Sequence, residues 1–120
     1  KLDFERLKKI KELTENNYPI VLHGASSVLS SLVKMNNDFG GKIENALGVP
    51  ENMLQEAISL GITKINVDTD IRLAFSGSIR QYLTQNPNEF DPRKYLGYSK
   101  DTIKELVKKK ILVFGSDNKV

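Results

Sequence analysis

Cysteine and tryptophan are absent from these 120 residues, and histidine occurs once. Without cysteine there are no disulfides and no thiolate metal sites. One histidine cannot assemble a metal centre alone, so its meaning has to come from its surroundings. Aromatics are few, five phenylalanines and four tyrosines, and they are not interleaved with basic residues. Charge of one sign is also scarce. Eighteen lysines and arginines against fifteen acidic residues give a formal net charge of +3, spread along the chain. The densest basic stretch, Lys108 to Lys110, falls at the end of an expected helix and reads as a solvated face complementing the helix dipole. Nucleic acid is therefore not an expected partner. No apolar run reaches the roughly 20 residues of a membrane span, and the charged, helix-like start does not read as a signal peptide. A cytoplasmic protein with no membrane partner is the expectation. The chain opens on Lys1, within a helix pattern, which reads as the middle of something larger.

What is present is an alternation of helices with short apolar runs. LDFERLKKIKEL spaces Leu2, Phe4, Leu7, Ile10 and Leu13 as an amphipathic helix, ended by Asn16, Asn17 and Pro19. The unalternating run Ile20 to Leu22 reads as a strand buried on both faces. A helix over about 27–35 follows, capped by Ser26 or Ser27. IENALGV is ambiguous. PENMLQEAISLG is a clear helix, with Pro50 in its first turn and Gly61 at its C-cap. ITKINVD is a second short buried strand. TDIRLAFSGSIRQYLTQN is a long helix, with Leu73, Phe75, Ile79 and Leu83 as core candidates, and a last helix is expected over about 99–114. The order predicts an α/β fold with a parallel sheet and right-handed crossovers.

Both strands run into small and polar residues, HGASS in one case and NVDTD in the other. The carboxyl ends of parallel strands are where α/β proteins place their chemistry. Gly24 permits close approach of a ligand, and Ser26 stands just before a helix start. Asp68 and Thr69 precede the next helix in the same way. Neighbouring strands would bring two helix N-termini to one spot, which suits a phosphate. Plainer readings exist for each feature: a structural strand-end histidine, a DTD helix cap, and serine caps with no further role.

Three stretches in order, VLHGASS, GVPENMLQEAISLGITKINVDTDIRLAF and FDPRKYL, together with the final GSDNK, resemble the C-terminal part of class II, zinc-dependent fructose-1,6-bisphosphate aldolase. The resemblance implies that residues 1–120 belong to one (β/α)8 TIM barrel, contributing strands seven and eight, their helices and a C-terminal helical extension, with the rest of the barrel before Lys1. It implies reversible aldol cleavage of fructose 1,6-bisphosphate to dihydroxyacetone phosphate and glyceraldehyde 3-phosphate. His23 would be one of three histidine ligands of a catalytic Zn2+. Gly24, Ala25 and Ser26 would form one wall of the dihydroxyacetone phosphate site, and Asn66, Val67, Asp68 and Thr69 the other. Asn66 would stand at the reacting end and position substrate. Arg72 would contact the phosphate at carbon six, while Asp91 and Arg93 would reach the neighbouring subunit's site, so that a dimer or larger homo-oligomer is required. A monovalent cation, Na+ or K+, near the phosphate is also implied. No Schiff-base lysine is needed, and Lys64 is expected to face away from Asn66. The other two zinc histidines and the proton-transferring aspartate would lie before Lys1, so the isolated chain is expected to be inactive. Tagatose-1,6-bisphosphate aldolase and a non-catalytic phosphate-binding fragment are the alternatives.

Overall fold

The computed structural model describes residues 2–15 and 17–119. The elements are α1 (Phe4–Leu13), β1 (Ile20–Leu22), α2 (Ser30–Asp38), α3 (Glu51–Ser59), β2 (Ile62–Ile65), α4 (Thr69–Gln85) and α5 (Pro92–Val113). The two strands pair in parallel, Ile20 with Ile62 and Leu22 with Ile65, with an irregularity after Ile20. The α/β alternation and parallel pairing thus agree with the sequence reading.

Several boundaries do not. The expected helix at 27–35 begins only at Ser30, and no side chain caps it from Leu29. Residues 23–29 instead form a loop, in which Gly24 and Val28 take positive φ angles of 64° and 45°. The last helix starts at Pro92 rather than near Ser99, because Asp91 accepts a hydrogen bond from the Arg93 amide and proline occupies the first turn. Helix α1 begins at Phe4, where Asp3 accepts from the Arg6 amide, so Leu2 lies outside it. Lys1, read as lying within a helix pattern, and Asn16, read as a helix end, lie outside the described residues. Side chains two apart on a strand share a face, and Asn66 lies one residue past the end of β2, so strand alternation does not carry the expectation that Lys64 faces away from Asn66.

The main core lies between α2, α4 and α5, around Leu32, Leu73, Ala74 and Leu106. Helix α4 presents Ala74, Gly77 and Ser78 to its neighbours. The Ser78 hydroxyl donates to Ser99 Oγ on α5 at 2.9 Å. Small residues let these helices approach closely, which leaves the expected core residues Phe75 and Leu83 on the outside, 43% and 37% exposed. A smaller buried set, Leu54, Ala57 and Ile62, joins α3 to the sheet.

The strands are not covered on both faces as expected of a parallel sheet. Val21 is 39% exposed, and no residue of α1 is buried. A cleft of about 200 Å3 lies between α1 and the sheet, lined by Phe4, Leu7, Ile10 and Val21 among others. The surface of 8364 Å2 exceeds the about 6,500 Å2 usual for a folded chain of this mass. The radius of gyration, 17.4 Å, exceeds the about 14 Å of a compact domain.

Candidate functional site

The two loops that leave β1 and β2 are joined by successive contacts. The Asn66 amide donates to the Leu22 carbonyl at 3.4 Å, continuing the sheet by one step. Next, Asn66 Nδ2 lies 3.0 Å from His23 Nδ1. Farther along, the Thr69 amide donates to Ser26 Oγ at 3.4 Å. His23, Ser26, Asn66 and Thr69, expected from the sequence to meet at the strand ends, are therefore neighbours. Gly24 adopts its left-handed turn with open space where a side chain would project. Its backbone can be approached closely, and a β-carbon would strain it. Ala25 is buried, backbone and side chain together, so it offers almost no surface to a binding wall.

The ring of His23 is exposed. With Asn66 Nδ2 donating to Nδ1, the ring proton sits on Nε2. With the amide turned so that its oxygen accepts, the proton sits on Nδ1 and the Nε2 lone pair is free for a metal. Among the described residues, no group of three or more His, Cys, Asp or Glu gathers as a metal-binding set. His23 offers one donor where tetrahedral zinc takes four, so these residues alone do not fit the ion.

The expected convergence of two helix N-termini is corrected. The start of α2 is already occupied: the Leu29 amide donates to Asp70 Oδ1 at 3.0 Å. A carboxylate on a helix N-terminus satisfies the free amide and the dipole together, leaving α4 as the one helix that begins at the strand ends. Beside it, Arg72 forms an exposed ion pair with Asp68 at 2.8 Å, which raises the arginine pKa. Asp91 and Arg93 pair with each other at 2.6 Å at the start of α5. The hydrogen bonds from Arg93 hold the Asp91 carboxyl below the usual range. Among the described residues, their mutual bonds do not tie them to the strand ends.

Sequence reasoning missed Ser27, Glu51, Asp70 and Lys110. Asp70 is fully buried in the first turn of α4, with the Ser27 hydroxyl donating to its Oδ2 at 2.5 Å. Lys110 Nζ lies 3.0 Å from both Asp70 Oδ2 and Glu51 Oε1, and it also donates to Ser27 Oγ. The solvated-face reading of Lys108 to Lys110 is therefore wrong for Lys110, which is 5% exposed. The middle lysine, Lys109, pairs with Glu51 Oε2 at 3.3 Å. The available signal was the second aspartate of DTD, four residues before the buried Ala74 and so on its helix face.

Burial works to raise the Asp70 and Glu51 carboxyls. Hydrogen bonds and the Lys110 charge outweigh it, with Ser27 and Leu29 helping at Asp70 and Lys109 at Glu51, and both carboxyls end below their usual values. A depressed folded-state pKa contributes stability above the unfolded value, about 4, that is lost as pH falls through the lower folded value. In the whole protein, the stability gap between wild type and Asp70→Asn should accordingly narrow as pH falls below about 4. Urea unfolding midpoints across that range would check this, and a gap that widens would contradict it.

The family model for fructose-bisphosphate aldolase class-II matches residues 1–119. The chain belongs to the class II fructose-bisphosphate aldolase family. Among its curated relatives, fructose-bisphosphate aldolase of Thermus caldophilus is 49% identical over 115 residues, covering 96% of this chain and 37% of that protein. The Helicobacter pylori fructose-bisphosphate aldolase is 42% identical over 120 residues, covering all of this chain and 38% of the relative. That of Giardia intestinalis is 45% identical over 116 residues, 97% of this chain and 35% of the relative. The chain thus spans well under half the length of these aldolases. Among the described residues, no helix is long and apolar enough to cross a membrane.

Proposed function

We propose that this chain is the strand-seven and strand-eight part of a (β/α)8 aldolase barrel that reversibly cleaves fructose 1,6-bisphosphate to dihydroxyacetone phosphate and glyceraldehyde 3-phosphate in the cytoplasm. The observation that carries the reading is the contact of His23 with Asn66 at 3.0 Å, at the carboxyl ends of paired parallel strands. Active sites of such barrels sit on that face. The open sheet and large surface suit strands that are completed by further strands. Within the whole enzyme, His23 would give one imidazole to zinc, and polypeptide other than residues 1–120 would give the remaining donors. When bound, zinc supplies Lewis-acid polarisation of the substrate carbonyl.

The chain's own residues hold substrate around that centre. Asn66 fixes the His23 ring, and with its oxygen accepting from Nδ1 it leaves Nε2 available. The Asn66 side chain also faces the reacting end of the substrate. Backbone amides of the Gly24–Ser26 loop and of Val67 and Asp68 donate to the phosphate of dihydroxyacetone phosphate, the Thr69 amide turns to it from Ser26 Oγ, and Ser26 adds its hydroxyl. A monovalent cation, Na+ or K+, near this phosphate would offset its charge. Arg72 exchanges its pairing with Asp68 for the second phosphate, a planar fork well matched to phosphate oxygens.

Asp91 and Arg93 serve the site of a neighbouring subunit in a dimer or larger homo-oligomer. This makes a sharp test. His23→Ala and Arg93→Ala variants of the whole enzyme are each expected to be weak. Unfolded and refolded together, they should regain roughly a quarter of wild-type activity, because a random two-fold dimer restores one intact site in each hybrid. Mixing without recovery would place Arg93 in its own subunit's site or outside any site. Comparing cleavage of fructose and tagatose bisphosphates by the wild-type enzyme tests the substrate assignment.

A further inference from the structure

We infer that Lys110 is a positioning residue for the phosphate loop, acting through Asp70 and Ser27 and touching no substrate itself. The inference rests on the aldolase reading above and adds a part that the strand-end residues do not contain. The two strand-end loops are cross-linked twice, by adjacent residues. The outer link, Thr69 amide to Ser26 Oγ, lies at the proposed phosphate site. The inner link, Ser27 hydroxyl to Asp70 carboxylate, lies one residue deeper on both loops. Lys110, arriving from α5, closes the inner link by contacting Ser27 Oγ and Asp70 Oδ2 together.

The inner link also holds a strained backbone. Asp70 Oδ2 accepts from the Ser27 hydroxyl and Oδ1 from the Leu29 amide, so the carboxylate straddles Val28. Val28 has φ of 45°, a conformation that a β-branched residue avoids. Such strain persists only where surrounding contacts over-determine it. The other side of the loop is pressed by Gly48, whose added β-carbon would fall 2.2 Å from the Ser27 carbonyl oxygen. The Val49 amide donates to the Ser26 carbonyl at 3.0 Å.

Lys110 decides whether this clamp holds. Its ammonium lies between the Glu51 and Asp70 carboxylates, at 3.0 Å from each. Without that charge, Glu51 would keep the Lys109 ammonium, but Asp70, which is fully buried, would keep only the neutral Ser27 hydroxyl and Leu29 amide. It would take up a proton or move away. Either response weakens its hold on Ser27 and Leu29, Val28 relaxes, and Ser26 shifts beside it. Displacement of a binding group by about 1 Å can cost as much as a hundredfold in rate.

The test uses the whole enzyme with Lys110→Met, Lys110→Arg, Ser27→Ala and, as a packing control, Leu106→Ala one turn earlier on α5. KM for fructose 1,6-bisphosphate, the dissociation constant of inorganic phosphate by direct titration, kcat and Tm are measured for each. Lys110→Met should raise KM and the phosphate constant about tenfold, within the range typical of supporting-shell changes. Lys110→Arg should recover much of that loss, and Ser27→Ala, the milder change, should raise the phosphate constant a few-fold in a protein that still folds. Leu106→Ala should lower Tm while leaving both constants near wild type. Constants within twofold of wild type in both Lys110→Met and Ser27→Ala would overturn the inference, as would an equal rise in Leu106→Ala. A wild-type enzyme that binds phosphate without cleaving the bisphosphate would refute the aldolase reading alone, because the phosphate constants, taken from direct titration, still test the clamp. Absence of phosphate binding in the wild type would refute both.

Discussion

Replacing His23 with alanine in the whole enzyme should lower fructose bisphosphate cleavage by more than about a hundredfold. Loss of a residue that merely orients a metal ligand costs about 10- to 100-fold, so loss of a ligand should cost more. The ring is exposed and its one described partner is Asn66, so little packing is lost and Tm of the zinc-free protein should barely change. Zinc content after dialysis should fall with activity. Asn66→Ala should show a milder version, weakening zinc retention through the freed ring and raising KM through lost substrate contact. If His23→Ala keeps activity within tenfold of wild type, the imidazole is a structural strand-end residue and the metal assignment fails.

The largest expected loss of stability follows Asp70→Ala, about 3–5 kcal/mol, the usual cost of breaking a buried ion pair at one partner. Three groups lose their acceptor together: the Lys110 ammonium, the Ser27 hydroxyl and the Leu29 amide. Glu51 still pairs with Lys110, which sets the loss toward the lower end of that range. Differential scanning calorimetry should show a Tm lower by roughly 10 °C. In the Asp70→Ala background, Lys110→Met should cost much less than it does alone, because the buried Asp70 carboxylate that it would strand is no longer there. Fully additive losses would show that the two side chains do not act as one unit.

Which residues meet at the strand ends was legible in the chain itself. The apolar run at 20–22 marked β1 to the residue, and the motifs that follow each strand marked where chemistry could gather. Parallel pairing then places His23 beside Asn66 almost automatically, because both follow the last residue of adjacent strands. Helices α3 and α4 were equally plain, since Pro50, Gly61 and Asp68 punctuate them. Local signals of this kind act within a few residues and survive without knowledge of the rest of the molecule.

What the chain could not announce was decided by contacts between residues far apart in sequence. Ser26 and Ser27 are good helix caps by composition, yet α2 starts at Ser30 because its free amide is met by Asp70, 41 residues away. Lys110 reads as one of three solvated lysines, yet it contacts Ser27 across a separation of 83 residues. Phe75 and Leu83 are strong apolar candidates, but Gly77 and Ser78 let α5 and α2 approach the opposite face of α4. Hydrophobic periodicity identifies an apolar face but carries no information about which neighbour comes close enough to cover it. Composition and spacing therefore determined the strands, most helices and the residues at their ends. The tertiary structure alone decided which helix N-terminus stays open and which buried charges hold the loops, since a buried carboxylate is tolerable only where distant donors converge on it.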